Sequence, residues 1–231
     1  MAKIKFYFLW LSLICIGAFI FQILIPGFTE AFLLNKRAVY NYEFWRFVTA
    51  IFMHGGLIHL LYNLFALIFF GITLENIIGS RRFLIIFLFS GIIANIISVN
   101  FYPNSLGASG AIMGIIGALT IIRPMMMVLA FGLILPMFIA ALLWVIGDTL
   151  GIFMPSNTGN IAHLSGIAVG FLTGFLMRKV ARENRKKSEK IKIPEDYMKK
   201  WEERFMKKEK FNSTSLSSFL QEQKASQLYS L

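Results

Sequence analysis

The stretch that decides the fold of this chain is residues 56–78, GLIHLLYNLFALIFFGITLENII. The run is almost wholly apolar, and at about 1.5 Å per residue a helix of this length crosses the ~30 Å hydrocarbon core of a bilayer. Two polar side chains, His59 and Asn63, lie near its start. Polar groups are costly inside a membrane, so both are candidate functional residues.

Similar apolar runs fill most of the chain before the basic C-terminal region. The 231 residues are 57% hydrophobic, against ~45–50% in soluble domains. A soluble protein of this length cannot bury that much apolar surface, so the bilayer must act as its solvent. We predict an all-α membrane protein, a six-transmembrane-helix bundle with a short fourth helix and a charged C-terminal tail. The predicted helices cover residues 6–26, 56–78, 83–99, 109–122, 126–146 and 161–179.

Polar and proline-containing breaks separate these runs. A Gly-Ser-Arg-Arg turn at residues 79–82 is expected to end the second helix, and Arg123-Pro124 the fourth. Pro136 is expected to bend the fifth helix. The first run exceeds the ~7–15 apolar residues of a signal-peptide core, so we expect it to be a retained span.

Basic residues are unevenly distributed along the chain. The net charge is +11 at pH 7, of which residues 1–177 contribute +4 and residues 178–231 contribute +7. Lysine and arginine cluster at the N-terminus, at residues 81–82, at Arg123 and in the tail, so the positive-inside rule places both termini in the cytoplasm. The basic tail favours anionic membrane lipids as partners, and no nucleic-acid motif accompanies the charge.

The change in composition divides the chain into two regions. We predict a transmembrane domain over residues 1–180 and a basic cytoplasmic tail over residues 181–231. Three aromatic residues recur every four positions in that tail: Tyr197, Trp201 and Phe205. This spacing fits an amphipathic helix on the membrane surface or a solvated charged helix. The Ser- and Gln-rich end after residue 211 is expected to be disordered.

Topology brings the polar residues of distant helices to one depth. The second, fourth and sixth predicted helices all run inward from the outer face, and His59, Ser109 and His163 lie near their outer ends. The fourth helix reaches only about 21 Å, so Ser109 is expected to lie below the outer surface in a wet pocket. Small residues on the fourth and sixth helices permit close packing there: Gly110, Gly114, Gly117, Gly166, Gly170 and Gly174.

These residue types suit nucleophilic catalysis. His163 can remove the proton of the Ser109 hydroxyl, and the N–H groups of His59 and Asn63 can stabilise an oxyanion. No carboxylate lies near the outer end of the second, fourth or sixth helix, so a dyad is expected. Other interpretations are that Ser109 caps its helix and that His59 and Asn63 bond to neighbouring helices. Zinc is disfavoured because no acidic or cysteine residues surround the histidines.

Four motifs resemble those of one family, the rhomboid intramembrane serine proteases. Residues 107–110, GASG, resemble the GxSG motif of the nucleophile, and residues 59–63, HLLYN, resemble the HxxxN element of the oxyanion site. Residues 163–170 resemble the HxxGxxxG element of the catalytic histidine. Residues 43–46, EFWR, resemble the ExWR signature of the first loop. Together the motifs follow the order expected of the family.

The resemblance implies a rhomboid-like bundle and a serine endopeptidase with no cofactor or metal. Ser109 and His163 would be catalytic, and His59 and Asn63 would bind the oxyanion. Its substrates would be single-span membrane proteins, cut in or next to their transmembrane segment. We expect a multi-pass protein of a prokaryotic plasma membrane, with the site opening to the outer face.

The resemblance also implies a gate and a lid. The fifth helix would admit the substrate helix laterally, and residues 147–160 would cover the site. Three glycines would act as hinges, Gly147, Gly151 and Gly159, and Phe153 and Met154 would form an apolar lid. Many bacterial members carry tyrosine four residues after the nucleophile, where this chain has Met113. Methionine can contact the histidine ring through its sulfur.

Two other functions are compatible with a polar pocket in a membrane bundle. A transporter also uses short helices with polar ends, although this chain shows no internal repeat. A rhomboid-like escort would bind membrane proteins without cutting them, and its binding would not depend on Ser109 or His163.

Overall fold

The computed structural model describes residues 5–154 and 158–189, together with residues 196, 199, 200 and 203. Contacts divide the chain into two compact units, Met1–Lys186 and Lys187–Leu231. Of the second unit, residues 187–189 are helical, as are the four isolated residues. The predicted aromatic stripe and disordered end of the tail lie outside the described residues, and the domain boundary at residue 180 stays a prediction.

The described part of the first unit is helical apart from one hairpin and the loops. Its elements are α1 (Tyr7–Leu24), α2 (Phe28–Phe32), α3 (Lys36–Tyr40), α4 (Arg46–Thr49), a 3₁₀ turn (Ala50–Phe52), α5 (Leu57–Ile78), α6 (Ser80–Ser98), α7 (Ser109–Ile122), β1 (Met127–Ala130), β2 (Leu133–Pro136), α8 (Met137–Gly151) and α9 (Asn160–Glu189).

Among the described residues, four helices are long and apolar enough to cross a membrane. The candidate spans are Tyr7–Leu24, Leu57–Ile78, Ser80–Ser98 and Asn160–Lys186. Two shorter apolar helices, α7 and α8, accompany them. The chain is therefore a mostly helical integral membrane protein with four candidate spans, and the count of six spans stays a prediction.

The observed α7 has the predicted bounds, residues 109–122, and it ends where Arg123 precedes proline. All residues from Gly110 to Leu119 are buried. A helix too short to cross the hydrocarbon core is tolerated where protein covers its ends. The helix that begins at Ser109 is thus the central element of the bundle.

The turn predicted at residues 79–82 is wrong. Gly79 alone separates α5 from α6, and Ser80 already begins the next helix. Gly79 has a φ of 87°, which an L side chain rarely adopts. One glycine therefore reverses the chain where four residues were expected.

The predicted fifth helix begins too early. Residues 127–136 form an antiparallel hairpin in which Ala130 pairs with Leu133. The two residues between them, Phe131 and Gly132, both have positive φ, as a type I′ hairpin turn requires. Pro136 precedes the first residue of α8 instead of bending a helix, because proline lacks the N–H that a helix interior needs.

Two helix ends also differ from the prediction. The last helix, α9, continues to Glu189 instead of ending at residue 179. Its basic extension is polar but still helical. The helix that follows the hairpin, α8, extends to Gly151, so residues 147–151 are helix and not loop.

A buried carboxylate fixes the start of α1. Glu75, near the end of α5, is fully buried, and its two carboxylate oxygens accept the backbone N–H groups of Tyr7 and Phe8, each at 3.0 Å. The first N–H groups of any helix lack partners within that helix. Glu75 therefore caps α1 from a different helix and joins the two spans.

Replacing Glu75 with glutamine is expected to destabilise the bundle. Glutamine keeps one acceptor oxygen but turns an NH2 group toward a buried N–H, which costs roughly 1–3 kcal/mol. Thermal unfolding in detergent measures the change. The control is Glu183→Gln on α9, where the side chain is exposed and the same chemical change should leave the melting temperature unaltered. Equal melting temperatures for both variants would contradict the capping role.

Candidate active site

Ser109 is the first residue of α7 and is half-buried. The residue in the cap position is Ala108, so Ser109 is not the helix cap. The first N–H groups of the helix have no intrahelical acceptor, and the helix dipole favours negative charge at this end. An oxyanion formed beside Ser109 would meet a favourable electrostatic environment.

Gly107 brings the chain before Ser109 against the ring of His59. Its φ is +120°, and a Cβ atom there would lie 2.8 Å from Cε1 and 3.0 Å from Nε2 of His59. Its N–H donates to the Ala50 carbonyl at 2.9 Å. Only glycine fits both the backbone angle and the close approach. The glycine of the motif therefore holds the ring of His59 against the backbone two residues before Ser109.

The ring of His59 is oriented by its own loop. The Gly55 N–H donates to Nδ1 of His59 at 3.4 Å. A neutral imidazole that accepts at Nδ1 carries its proton on Nε2. That nitrogen lies on the side of Gly107, so the Nε2–H group can act as a donor near Ser109.

Asn63 is buried one helical turn further along α5. Its Nδ2 group donates to the His59 carbonyl at 2.8 Å. A primary amide has two N–H groups, so the second can still serve the predicted oxyanion role. This bond lies within α5, so the Nδ2 group of Asn63 does not bond to a neighbouring helix here.

His163 lies in the first turn of α9, and two contacts fix its surroundings. Its Nδ1 atom is 3.0 Å from Oδ1 of Asp148. Just before it, the Ile161 N–H donates to the Tyr102 hydroxyl at 3.0 Å, which satisfies one of the free groups at the helix start. The loop before Ser109 thus contributes Tyr102 to the helix that carries His163.

The expectation that no carboxylate lies beside His163 is wrong. Asp148 belongs to residues 147–160, which were predicted to cover the site, but α8 extends through it and its side chain is buried. Asp148 is the only acidic residue between Glu75 and Glu183. An isolated acid in a long apolar stretch that precedes His163 was the signal that could have identified it.

Helices α7 and α9 touch through their backbones from their first turn onward. A Cβ at Gly110 would lie 3.5 Å from the Ala162 carbonyl, and a Cβ at Gly166 would overlap the Gly110 carbonyl. The neighbours of Ser109 and His163 are therefore in contact. The hydrogen bond between Ser109 and His163 themselves stays a prediction.

The first loop is held together by Arg46. Its guanidinium pairs with Glu43 and donates to the backbone carbonyls of Glu30 and Leu33. Trp45, the other residue of the ExWR signature, is exposed. The charged residues of this motif thus organise the loop.

Gln22 of α1 ties the same loop to the bundle. It accepts the His54 N–H at 2.9 Å and donates to the His54 carbonyl at 3.0 Å. The ring of His54 stacks edge-on against His59, with centroids 5.3 Å apart. Burial, with a smaller contribution from His59, lowers the pKa of His54 to about 4. His54 is therefore neutral near pH 7 and supports His59 without a competing charge.

The remaining predicted positions fall in different places. Met113 is buried in α7 within the core. Gly147 and Gly151 lie inside α8, and Gly151 packs against Asn160, so neither stands in a flexible loop. Phe153 and Met154 are exposed. Residues 155–157 of the predicted lid lie outside the described part of the chain, and the gate and lid stay predictions.

Known proteins resemble this chain over the same region. The Rhomboid domain family matches residues 41–180. RHOMBOID-like protein 6, mitochondrial, of Arabidopsis thaliana is 37% identical over 152 residues, which cover 62% of this chain and 46% of the relative. This chain therefore spans less than half the length of that relative.

Two bacterial proteins of Bacillus subtilis (strain 168) are also similar. Putative rhomboid protease YdcA is 37% identical over 146 residues, covering 60% of this chain and 69% of the relative. Rhomboid protease GluP is 38% identical over 134 residues, covering 56% of this chain and 25% of the relative. The matched family domain occupies more than half of this chain and includes all of its histidines, the Gly107–Gly110 motif and Asp148. The chain belongs to the rhomboid family.

Proposed function

We propose that this chain is an intramembrane serine endopeptidase. The observation that carries the proposal is the backbone contact between α7 and α9 at Gly110 and Gly166, because it sets the first residues of the two helices side by side. Ser109 begins one helix and His163 lies in the first turn of the other. Two relatives that bear the name rhomboid protease support the same activity.

The proposed chemistry is acyl transfer to Ser109. The Oγ atom attacks the substrate carbonyl while its proton passes to Nε2 of His163. His163 then gives that proton to the leaving amine, and a water molecule hydrolyses the acyl-enzyme with the same histidine as base. Donors at His59, Asn63 and the start of α7 stabilise the oxyanion, each worth about 2.7–4 kcal/mol in related chemistry.

The proposed substrates are single-span membrane proteins, cut in or beside their transmembrane segment. A site at the first turn of a short helix, buried in a membrane bundle, suits a segment of a membrane-embedded substrate better than a folded soluble protein. We further propose that both termini are cytoplasmic and that the site opens to the outer face. The basic residues at the N-terminus and in α9 support this orientation.

We also propose that residues 1–180 form the protease domain and that catalysis uses neither a metal nor a cofactor. Anionic lipids would contact the basic residues near the end of α9.

The test is chemical labelling of the purified, detergent-solubilised protein. Wild type is expected to cut a tagged transmembrane substrate and to react with a fluorophosphonate, with the adduct mapped to Ser109 by mass spectrometry. His163→Ala should lose both reactions because the serine is no longer deprotonated. An adduct on another serine, or full labelling of His163→Ala, would overturn the assignment.

A further inference from the structure

Asp148 is a buried acid that the proposed dyad does not use. Its side chain is 10% exposed, and that of its partner His163 is 16% exposed. The other buried residues of α8 are Met137, Ala140 and Ala141, all apolar and nearer the start of the helix. The sole inward-facing polar residue of α8 thus touches the histidine assigned to proton transfer.

We propose that Asp148 is a positioning residue that sets the tautomer and orientation of His163, so that the site works as a serine–histidine–aspartate triad. This inference rests on the proposed function of Ser109 and His163. An ionised carboxylate can only accept hydrogen bonds, so its contact at 3.0 Å requires the proton of His163 to be on Nδ1. The other nitrogen, Nε2, then carries the lone pair that takes the Ser109 proton.

Asp148 also acts on the charge that forms during the reaction. When the proton moves from Ser109 Oγ to His163 Nε2, the imidazole becomes a cation. The carboxylate beside Nδ1 stabilises that cation in a region of low dielectric, and it receives no proton itself. An amide at the same place would keep an acceptor but lose the charge.

A purely structural role is the competing explanation. The contact joins α8 to α9, and an interhelical hydrogen bond alone would stabilise the bundle. In that case, removing the carboxylate would lower stability and release the His163 tautomer, but the turnover of the folded enzyme would not change. The experiments must therefore measure both the tautomer of His163 and the turnover of the folded enzyme.

The first measurement is ¹⁵N NMR of histidine-labelled full-length protein in detergent. The chain has only three histidines, and His163→Ala assigns the signals of the third. Wild type is expected to show His163 protonated on Nδ1, and Asp148→Leu to lose that preference. An Nε2–H tautomer in wild type, or the same tautomer in Asp148→Leu, would overturn the proposal.

The second measurement is steady-state cleavage of a transmembrane substrate. Asp148→Asn is expected to lower kcat by about 10- to 100-fold with little change in KM, less than the ~10⁴-fold loss known for a fully buried triad aspartate. Asp148→Glu should recover part of the activity. The control is Glu30→Gln, the same acid-to-amide change at an exposed position, which should behave as wild type.

The two measurements separate the two hypotheses. If wild type cuts and both Asp148→Asn and Asp148→Leu match it in kcat, the positioning role is wrong and the protease assignment stands. If wild type neither cuts nor reacts with a fluorophosphonate, the protease assignment fails, and the NMR result still decides whether Asp148 orients His163.

Discussion

The Ser109→Ala variant is expected to bind transmembrane substrates but to cut none of them. Alanine removes only the Oγ atom that forms the acyl-enzyme, and the α7 backbone, which is buried beyond this residue, should keep its place. In serine proteases, loss of the nucleophile lowers kcat by about 10⁶-fold. Cleavage by the variant should therefore fall to a residual rate about 10⁶-fold below that of wild type.

The measurement combines cleavage with photocrosslinking of the same tagged substrate. The matched control is Ser12→Ala on α1, where the hydroxyl donates to the Phe8 carbonyl of its own helix and lies outside the site. This control should cut at the wild-type rate. Cleavage by Ser109→Ala well above that residual rate, if it resists further purification, would mean that another residue is the nucleophile.

The same two assays distinguish a protease from an escort that binds membrane proteins without cutting them. An escort would crosslink to substrates equally well in wild type and in Ser109→Ala, and neither protein would cut. A protease with an intact binding groove gives equal crosslinking but cleavage by wild type only. Cleavage by wild type thus shows whether the chain is a protease or an escort. Loss of cleavage in Ser109→Ala then identifies Ser109 as the nucleophile.

The sequence predicted the long helices well because bilayer thickness imposes a simple rule on them. The start of α5 and both ends of α7 lie within a residue of the prediction, since a long apolar run favours a helix in lipid and Arg123-Pro124 disfavours its continuation. The contact between His59 and Gly107 brings two of the predicted motifs together.

The features that were missed depend on contacts between distant segments. Residues 127–136 are as apolar as a span, so hydrophobicity alone could not distinguish a hairpin from helix, and the positive φ of Phe131 has no strong signal in sequence. The bonds of Glu75 to α1 and of Asp148 to His163 join residues on different helices. Such pairs follow from helix rotation, which the composition of a single helix does not specify.

The close packing of α7 on α9 leads to a second prediction with a large effect. Gly166→Ala is expected to destabilise the bundle and to abolish activity. Its Cβ would overlap the Gly110 carbonyl, a backbone atom that no change of side-chain rotamer can move. The helices must separate, which costs about 3 kcal/mol or more, the upper part of the range for overpacked cores.

Unfolding in a denaturing detergent and cleavage in a mild one measure the two effects separately. Gly147→Ala on α8 is the control, because no atom lies within 4 Å of its would-be Cβ. Alanine is the better helix former by about 1 kcal/mol, so this control should be as stable as wild type or more so.

Gly166 is one turn from His163, and a shift of about 1 Å in α9 is enough to misalign the histidine with Ser109. Activity should therefore fall further than the loss of stability explains, whereas a fully active Gly166→Ala would mean that the backbone contact between α7 and α9 does not align the site.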